Sequence, residues 1–337
     1  MIQAGEITEL DSQESQTQFR LRRGLTVARL LLRNPWILNK LLVMGPDEPR
    51  YVRPPRAHEL PEYREGLKRC TSREKYLRPT RWCNPREPLV VALANELGAF
   101  ELPDWEFADA AYWWTKTRIK TELVPLDSVS ATLKRGTGTC FHVSSLWIAL
   151  CRAAGIKARY KSFRTPLHDI PMNLNVTQMY LDGTELAMLP DLLNLGGGHA
   201  ESEACVDGKW IVADVGMSPE MHAHSGVPIT RFGEDAIGST FTIVPGLKIE
   251  RFESLPLRAG IALGASSLFR VFRERGNVGF ADMVPSGRKI IEEAGGIEAY
   301  DLDARRMRES ALTEGLMRGI TRLKEDAQHK QVIVFEE

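Results

Sequence analysis

The chain has no excess of either sign of charge. Its 337 residues carry 44 Lys plus Arg against 44 Asp plus Glu, which gives a formal net charge of +0 at pH 7. Because proteins that bind a polyanion through their overall field are strongly basic, the composition gives no support for nucleic acid as a partner. Cysteine is also scarce, with five residues at irregular spacings. This pattern excludes the framework of a disulfide-rich secreted protein.

Long apolar runs are missing as well. No stretch reaches the roughly 18 apolar residues of a membrane span, and the start of the chain, Met1 to Glu6, lacks the basic and apolar regions of a secretory signal. Together with the cysteine usage, these absences predict a cytoplasmic protein with no transmembrane segment. The hydrophobic content of 43% is enough for a sizeable core.

The stretch that ends at Cys140 has a pattern that prepares a nucleophile. A loop with Gly136 and Gly138 runs into Cys140, after which apolar residues recur at helical spacing until Gly155. Cys140 is therefore expected at a helix N-terminus, where unpaired N–H groups and the helix dipole stabilise a thiolate. Taken alone, a cysteine at this position is more often a small buried side chain.

A second motif supplies a base and a carboxylate to orient it. His199 begins a β-prone run, Asp207-Gly208 is a tight-turn signal, and Asp214 ends the run that follows. The predicted hairpin returns the Asp214 carboxylate to the neighbourhood of the His199 imidazole, as nucleophilic catalysis by cysteine requires. The glycines before His199, 196–198, are either a substrate loop or only a tight bend.

Other histidines compete with His199 for the role of base. His142 follows the nucleophile closely, but on the first helical turn it would point about 200° away from Cys140, so it is expected to line the cleft instead. His168 and Asp169 could also reach the site.

Metal ligation is not favoured. His222 and His224 could share one side of a strand, and Cys70 and Cys83 are thirteen positions apart, but neither pair completes a four-ligand site. We therefore predict no metal and no cofactor.

Several motifs in this order resemble the transglutaminase-like core of the papain-like cysteine enzymes. The resemblance rests on Tyr112-Trp113-Trp114, Thr132-Leu133, Gly138-x-Cys140, the helix end at 149–156, Ala158-Arg159-Tyr160 and the hairpin from His199 to Trp210-x-x-x-Asp214. It implies an α+β fold in which the catalytic helix packs on an antiparallel sheet, with helical N- and C-terminal extensions. It makes Cys140 the nucleophile, His199 the base and Asp214 the orienting carboxylate.

The chain departs from the family pattern at two places. Many relatives carry an aromatic residue two after the histidine, where this chain has Glu201, and an Asp-Pro pair where it has Asp214-Val215. These differences are compatible with the chemistry and leave the substrate undetermined.

Composition and resemblance together predict four segments. They are a flexible lead-in at 1–18, a helical and proline-rich extension at 19–88, the transglutaminase-like catalytic core at 89–250 and a helical C-terminal extension at 251–337. The basic, apolar part at 20–45 could lie on an anionic membrane or grip an acidic partner, but a helical pair packed on the core explains it better. The sequence does not determine the oligomeric state.

The resemblance implies cysteine-dependent acyl transfer. The substrate would be a peptide, amide or thioester, free or protein-bound, and the acyl-enzyme would pass to water, as in a peptidase or amidase, or to an amine, as in a transamidase or amide synthase. The alternatives are a catalytically silent transglutaminase-like binding module or scaffold, and a peripheral membrane protein using the basic segment.

Overall fold

The central helices precede the three strands of the main sheet along the chain, in the order that the helical and alternating patterns predict. The computed structural model describes residues 32–33, 43–165, 197–234 and 267–310. The elements are α1 (Pro88–Glu96), α2 (Asp104–Arg118), β1 (Lys120–Thr121), α3 (Val129–Arg135), β2 (Thr137–Gly138), α4 (Cys140–Ala154), β3 (Ala158–Thr165), β4 (Gly197–Val206), β5 (Lys209–Ala213), α5 (Pro219–His224), α6 (Ser267–Glu293) and a helical run at 297–310, called α7.

Helix α4 is the centre of the main hydrophobic core. Every residue from 142 to 153 is buried, so the helix is enclosed on all sides rather than along one face as its spacing predicts. Helices α1, α2 and α3 and strands β3 and β4 all pack on it. Trp147 donates from its ring N–H to the carbonyl of Ala108 at 3.1 Å. Gly155 ends the helix in the left-handed region, with φ 92°.

The predicted hairpin forms two strands of a three-stranded antiparallel sheet with the order β3-β4-β5. Tyr160 pairs with Ser202, which pairs in turn with Ala213. Asp207 and Gly208 make the turn with φ 49° and 76°, the left-handed pair that a two-residue hairpin turn needs. The α+β plan is confirmed: the central helix lies on an antiparallel sheet.

A short parallel bridge holds the loop before Cys140. Strand β1 pairs with β2, and the N–H of Glu122 donates to the carbonyl of Gly138 at 2.9 Å. The Glu122 carboxylate is buried and accepts from the Arg53 guanidinium and the Thr137 hydroxyl. The backbone next to the cysteine is therefore fixed from two sides.

Residues 46–87 contain neither helix nor strand, as their prolines predict. This segment is nevertheless tied to the core, since Cys70 N–H donates to the carbonyl of Ala153 at 2.9 Å and Ala158 N–H donates to that of Tyr76 at 3.1 Å. The buried guanidinium of Arg152 donates to the carbonyls of Ala158 and Arg78 and so joins the end of α4 to both.

The C-terminal helices differ from the prediction. The sequence pattern predicts separate helices at 263–273 and 288–293, but one helix, α6, is continuous from Ser267 to Glu293 with Pro285 inside it. Helix α6 packs against α5. Gly287 serves that contact, because a Cβ at this position would lie 1.8 Å from the carbonyl oxygen of Glu220.

Some expectations lie outside the described residues. They are the lead-in at 1–18, the helical pair within 20–45 apart from the few described positions, and His168 and Asp169. The sequence pattern also predicts a hairpin at 176–186, a strand at 239–244 and a helix at 304–323, of which only 304–310 is described. Among the described helices, none has the length and apolar character needed to cross a bilayer.

Two glycines of α6 provide a matched stability test. Gly287→Ala should lower the free energy of unfolding by about 2–3 kcal/mol, because the Glu220 backbone cannot give way. Gly276→Ala should be close to neutral, because its Cβ would meet only the side-chain end of Leu123, at 2.5 Å, and alanine favours the helix by about 1 kcal/mol. Urea unfolding followed by circular dichroism measures both, and equal stabilities would contradict the packing described here.

Candidate active site

Cys140 is the first residue of α4, directly after the N-cap Thr139, which confirms its expected place at a helix N-terminus. Its side chain is partly exposed, whereas Cys151 on the same helix is buried. Burial raises the pKa of the Cys151 thiol, because the charged thiolate is excluded from an apolar core. Of the two cysteines on this helix, Cys140 is the one placed to react.

The strand that carries His199 is anchored to the start of α4. Ser144, one turn beyond Cys140, donates from its hydroxyl to the carbonyl of Ala200 at 2.9 Å. Ala200 directly follows His199 on β4, and His199 pairs with Phe163 of β3. The backbone at position 199 is therefore held near the first two turns of the helix that begins with Cys140.

Asp214 comes directly after β5 and is buried. Its Oδ1 accepts a hydrogen bond from the N–H of Gly216 at 3.0 Å. Ala213 pairs with Ser202, so continuing the register sets Asp214 opposite position 201, two residues from His199. Both positions lie at the same end of the hairpin, while the three catalytic roles stay a prediction.

His142 has a structural role. Its Nδ1 accepts from the N–H of Thr139 at 3.1 Å, so the ring proton is on Nε2, which donates to the carbonyl of Pro125 at 3.1 Å. Nε2 also lies 3.3 Å from an oxygen of Asp127. With both nitrogens engaged and the residue 1% exposed, the expectation that His142 lines the cleft is wrong. A Cβ on Gly138 would lie 2.5 Å from that of His142, which explains the glycine.

A buried polar network beneath Asp214 is the feature that the sequence analysis missed. Lys116 of α2 donates from Nζ to the main-chain carbonyl of Asp214 and to the hydroxyl of Thr230, both at 2.9 Å. Burial lowers the pKa of Lys116 from 10.5 to about 8, although nearby carboxylates, first among them that of Asp214, raise it. Tyr112 donates to the carbonyl of Thr230 at 2.6 Å. The available signal was a lysine at helical spacing from Tyr112 on the apolar face of α2.

The histidines at 222 and 224 lie on helix α5 rather than on a strand, so the expectation of a shared strand face is wrong. Ser218 and Pro219 start this helix: the Ser218 hydroxyl accepts from the N–H of Met221. His222 is buried, with Nδ1 2.9 Å from the carbonyl of Ser218 and Nε2 3.2 Å from the Thr230 hydroxyl. Within the described part of the chain, no three or more His, Cys, Asp or Glu side chains are grouped to hold a metal ion.

Glu201, the departure noted two residues after His199, is buried. Its Oε2 lies 3.8 Å from Nζ of Lys161 on β3. A carboxyl side chain thus occupies the position where the family resemblance places an aromatic ring, opposite Asp214 in the continued register of β4 and β5.

A partly exposed cysteine at a helix start, with an antiparallel hairpin packed on that helix, is the arrangement of a papain-like cysteine enzyme. Residues 91–215 match the model of the transglutaminase-like superfamily, so the chain contains a transglutaminase-like domain in that range. The match spans Cys140, His199 and Asp214 and supports a cysteine-dependent enzyme.

The likeness to a solved structure is weak. A structure named "Putative Cysteine Protease" from Cytophaga hutchinsonii is 24% identical, with a TM-score of 0.31, over 43% of this chain and 42% of that one. The alignment thus spans about two fifths of that protein's length. No curated protein matches this chain.

The structural role of His142 predicts the effect of replacing it. His142→Gln should keep most of the stability, because a glutamine at this position of a capping box can still accept from the N-cap N–H. His142→Ala should cost about 1 kcal/mol or more. Chemical denaturation compares the two variants. Alkylation of Cys140 should be unchanged in His142→Gln, and a large loss there would make His142 the base.

The buried His222 predicts a loss of stability in acid. Burial lowers its pKa from 6.5 to about 3. Above pH 6.5 neither state binds the proton, but between 6.5 and 3 the unfolded chain binds it and the folded protein does not. The free energy of unfolding should therefore fall by up to about 1.4 kcal/mol per pH unit on acidification.

The matched control is His222→Asn, which keeps a donor for the Ser218 carbonyl but cannot titrate. Urea unfolding at several pH values should show a shallower acid loss in this variant than in the wild type. Parallel curves would contradict a neutral buried imidazole.

Proposed function

We propose that the protein is a transglutaminase-like cysteine hydrolase or acyltransferase that forms a covalent acyl-enzyme on Cys140. The observation that carries this proposal is the position of Cys140 as the first residue of α4, one turn before the Ser144 hydroxyl that holds the backbone next to His199. The superfamily match over residues 91–215 supports it.

The first half-reaction is acylation. The Cys140 thiolate, paired with the His199 imidazolium, attacks the carbonyl carbon of an amide or thioester and forms a C–S bond. The tetrahedral oxyanion would be met by the backbone N–H of Cys140 at the helix start. His199 then gives its proton to the leaving amine or thiol as the bond to the leaving group breaks.

The second half-reaction releases the acyl group. His199 removes a proton from water or from an amine, which attacks the thioester carbonyl, and the C–S bond breaks to return the thiolate. Water gives a peptidase or amidase, and an amine gives a transamidase or amide synthase. In both cases Asp214 orients the imidazole and stabilises its charged form.

The buried environment of Asp214 suits this role. Its carboxylate is fixed by the Gly216 N–H, and the ammonium of Lys116 lies beside it at the main-chain carbonyl. These contacts fix the residue from which the carboxylate would reach the imidazolium.

The chain contains its own controls for nucleophile reactivity. Cys70 and Cys205 are partly exposed, as Cys140 is, so exposure alone predicts similar rates for all three. We expect iodoacetamide at neutral pH to alkylate Cys140 on the order of tenfold faster than either control, measured by mass spectrometry of the labelled peptides. His199→Ala should remove that advantage, whereas Asp214→Asn should leave part of it, because Asp214 acts on orientation.

The same experiment separates the enzyme from a silent binding module. A Cys140 no more reactive than Cys70, in protein whose unfolding curve shows it to be folded, would favour the silent module.

A further inference from the structure

Lys116 is an unusual residue for the centre of an apolar core. It lies on α2 and is 1% exposed, and an ammonium group is costly to bury unless its N–H groups find acceptors. Here Nζ donates to the Asp214 main-chain carbonyl and to the Thr230 hydroxyl, and it lies 5.2 Å from the centre of the Tyr112 ring. Its two hydrogen bonds thus go to the residue that follows β5 and to Thr230.

The hydrogen bonds around Thr230 have a fixed direction. The Ser218 carbonyl can only accept, so His222 carries its proton on Nδ1 and its Nε2 must accept. The Thr230 hydroxyl accepts from Lys116 and donates to His222 Nε2. The series therefore runs in one direction, from Lys116 through the Thr230 hydroxyl to His222, and the ammonium cannot move without breaking it.

The charged and titratable groups that face Lys116 come from several elements. They are the carboxylates of Asp214, Glu234 and Glu201, the neutral imidazole of His222 and the phenol of Tyr112. Of the three acidic residues, Asp214 is the one that accepts a hydrogen bond from Lys116, through its main-chain carbonyl. Lys116 thus holds residue 214 at its carbonyl, and the Gly216 N–H holds it at its Oδ1.

We propose that Lys116 is a positioning residue for the cysteine site, which fixes the main chain at Asp214 and so aims that carboxylate at the base on the neighbouring strand. This inference rests on the proposed function. Lys116 touches no substrate and acts only through Asp214. Its removal frees the backbone after β5, so the carboxylate stabilises the imidazolium less and the thiolate forms less readily.

The test compares the pH profile of Cys140 alkylation in four proteins. They are the wild type, Lys116→Met, Asp214→Asn and the double variant. Methionine keeps an unbranched chain in the core and removes the donors. At about pH 6 we expect each single variant to be alkylated several-fold to about tenfold more slowly, with the profile shifted to higher pH. The double variant should be alkylated no more slowly than the slower single variant, because both substitutions remove the same stabilisation of the imidazolium.

A stability control separates positioning from simple damage to the fold. Phe107→Leu shrinks a buried side chain on the same helix and should lower the melting temperature without moving the alkylation profile. Thr230→Val keeps Lys116 but removes one of its two acceptors, and it should shift the profile in the same direction as Lys116→Met by a smaller amount. If Lys116→Met does not fold, Thr230→Val decides the question.

The outcomes distinguish this inference from the proposed function. If Asp214→Asn moves the profile but Lys116→Met and Thr230→Val do not, Lys116 has no positioning role. Additive shifts in the double variant also overturn the inference, because Lys116 would then act independently of Asp214. If even Asp214→Asn leaves the wild-type profile unchanged, the proposed triad fails, and the role of Lys116 fails with it.

Discussion

The packing of helix α4 on the antiparallel sheet is the constraint on which the rest of the structure depends. The helix is buried along its length, so its axis is set by the core, and its first residue is Cys140. One hydrogen bond, from Ser144 to the carbonyl of Ala200, fixes the helix to β4 beside His199. Because protein interiors are close-packed, neither element can slide without opening the core. The rigid part of the fold thus sets the distance between the helix start and the hairpin.

The core near the end of β5 contains a buried charged side chain, Lys116. An apolar side chain at position 116 would cost less to bury, and so would one at 222, yet Lys116, Thr230 and His222 form one series of hydrogen bonds. Such networks often contribute little net stability, because the desolvation of the charge offsets its pairing. What such networks do provide is a defined geometry. Here the hydrogen bond from Lys116 fixes the main chain at Asp214, the residue that follows β5. The stability of the core and the precision of the site are therefore separate demands on the same helix, α2.

Much of this arrangement could be predicted from local patterns. The spacing after Cys140, the Asp207-Gly208 turn and the prolines of 46–87 each determine short-range structure, and the structure agrees with all three. Errors arose where tertiary contacts override local preference. Pro285 does not end α6, because packing against α5 holds the helix together. The role of Lys116 depends on partners about a hundred residues away, and no local pattern contains that information. The pairing of Cys140 with His199 and Asp214 rests on motif order and remains a prediction.

The central claim is that Cys140 forms a thioester with its substrate. The direct measurement is mass spectrometry of the protein quenched in acid after brief exposure to a simple acetyl thioester, with peptides containing Cys70 and Cys205 as internal controls. The account predicts an added acetyl group on the Cys140 peptide, absent in Cys140→Ala and much reduced in His199→Ala. Acetylation spread equally over the partly exposed cysteines, or unchanged in His199→Ala, would contradict it.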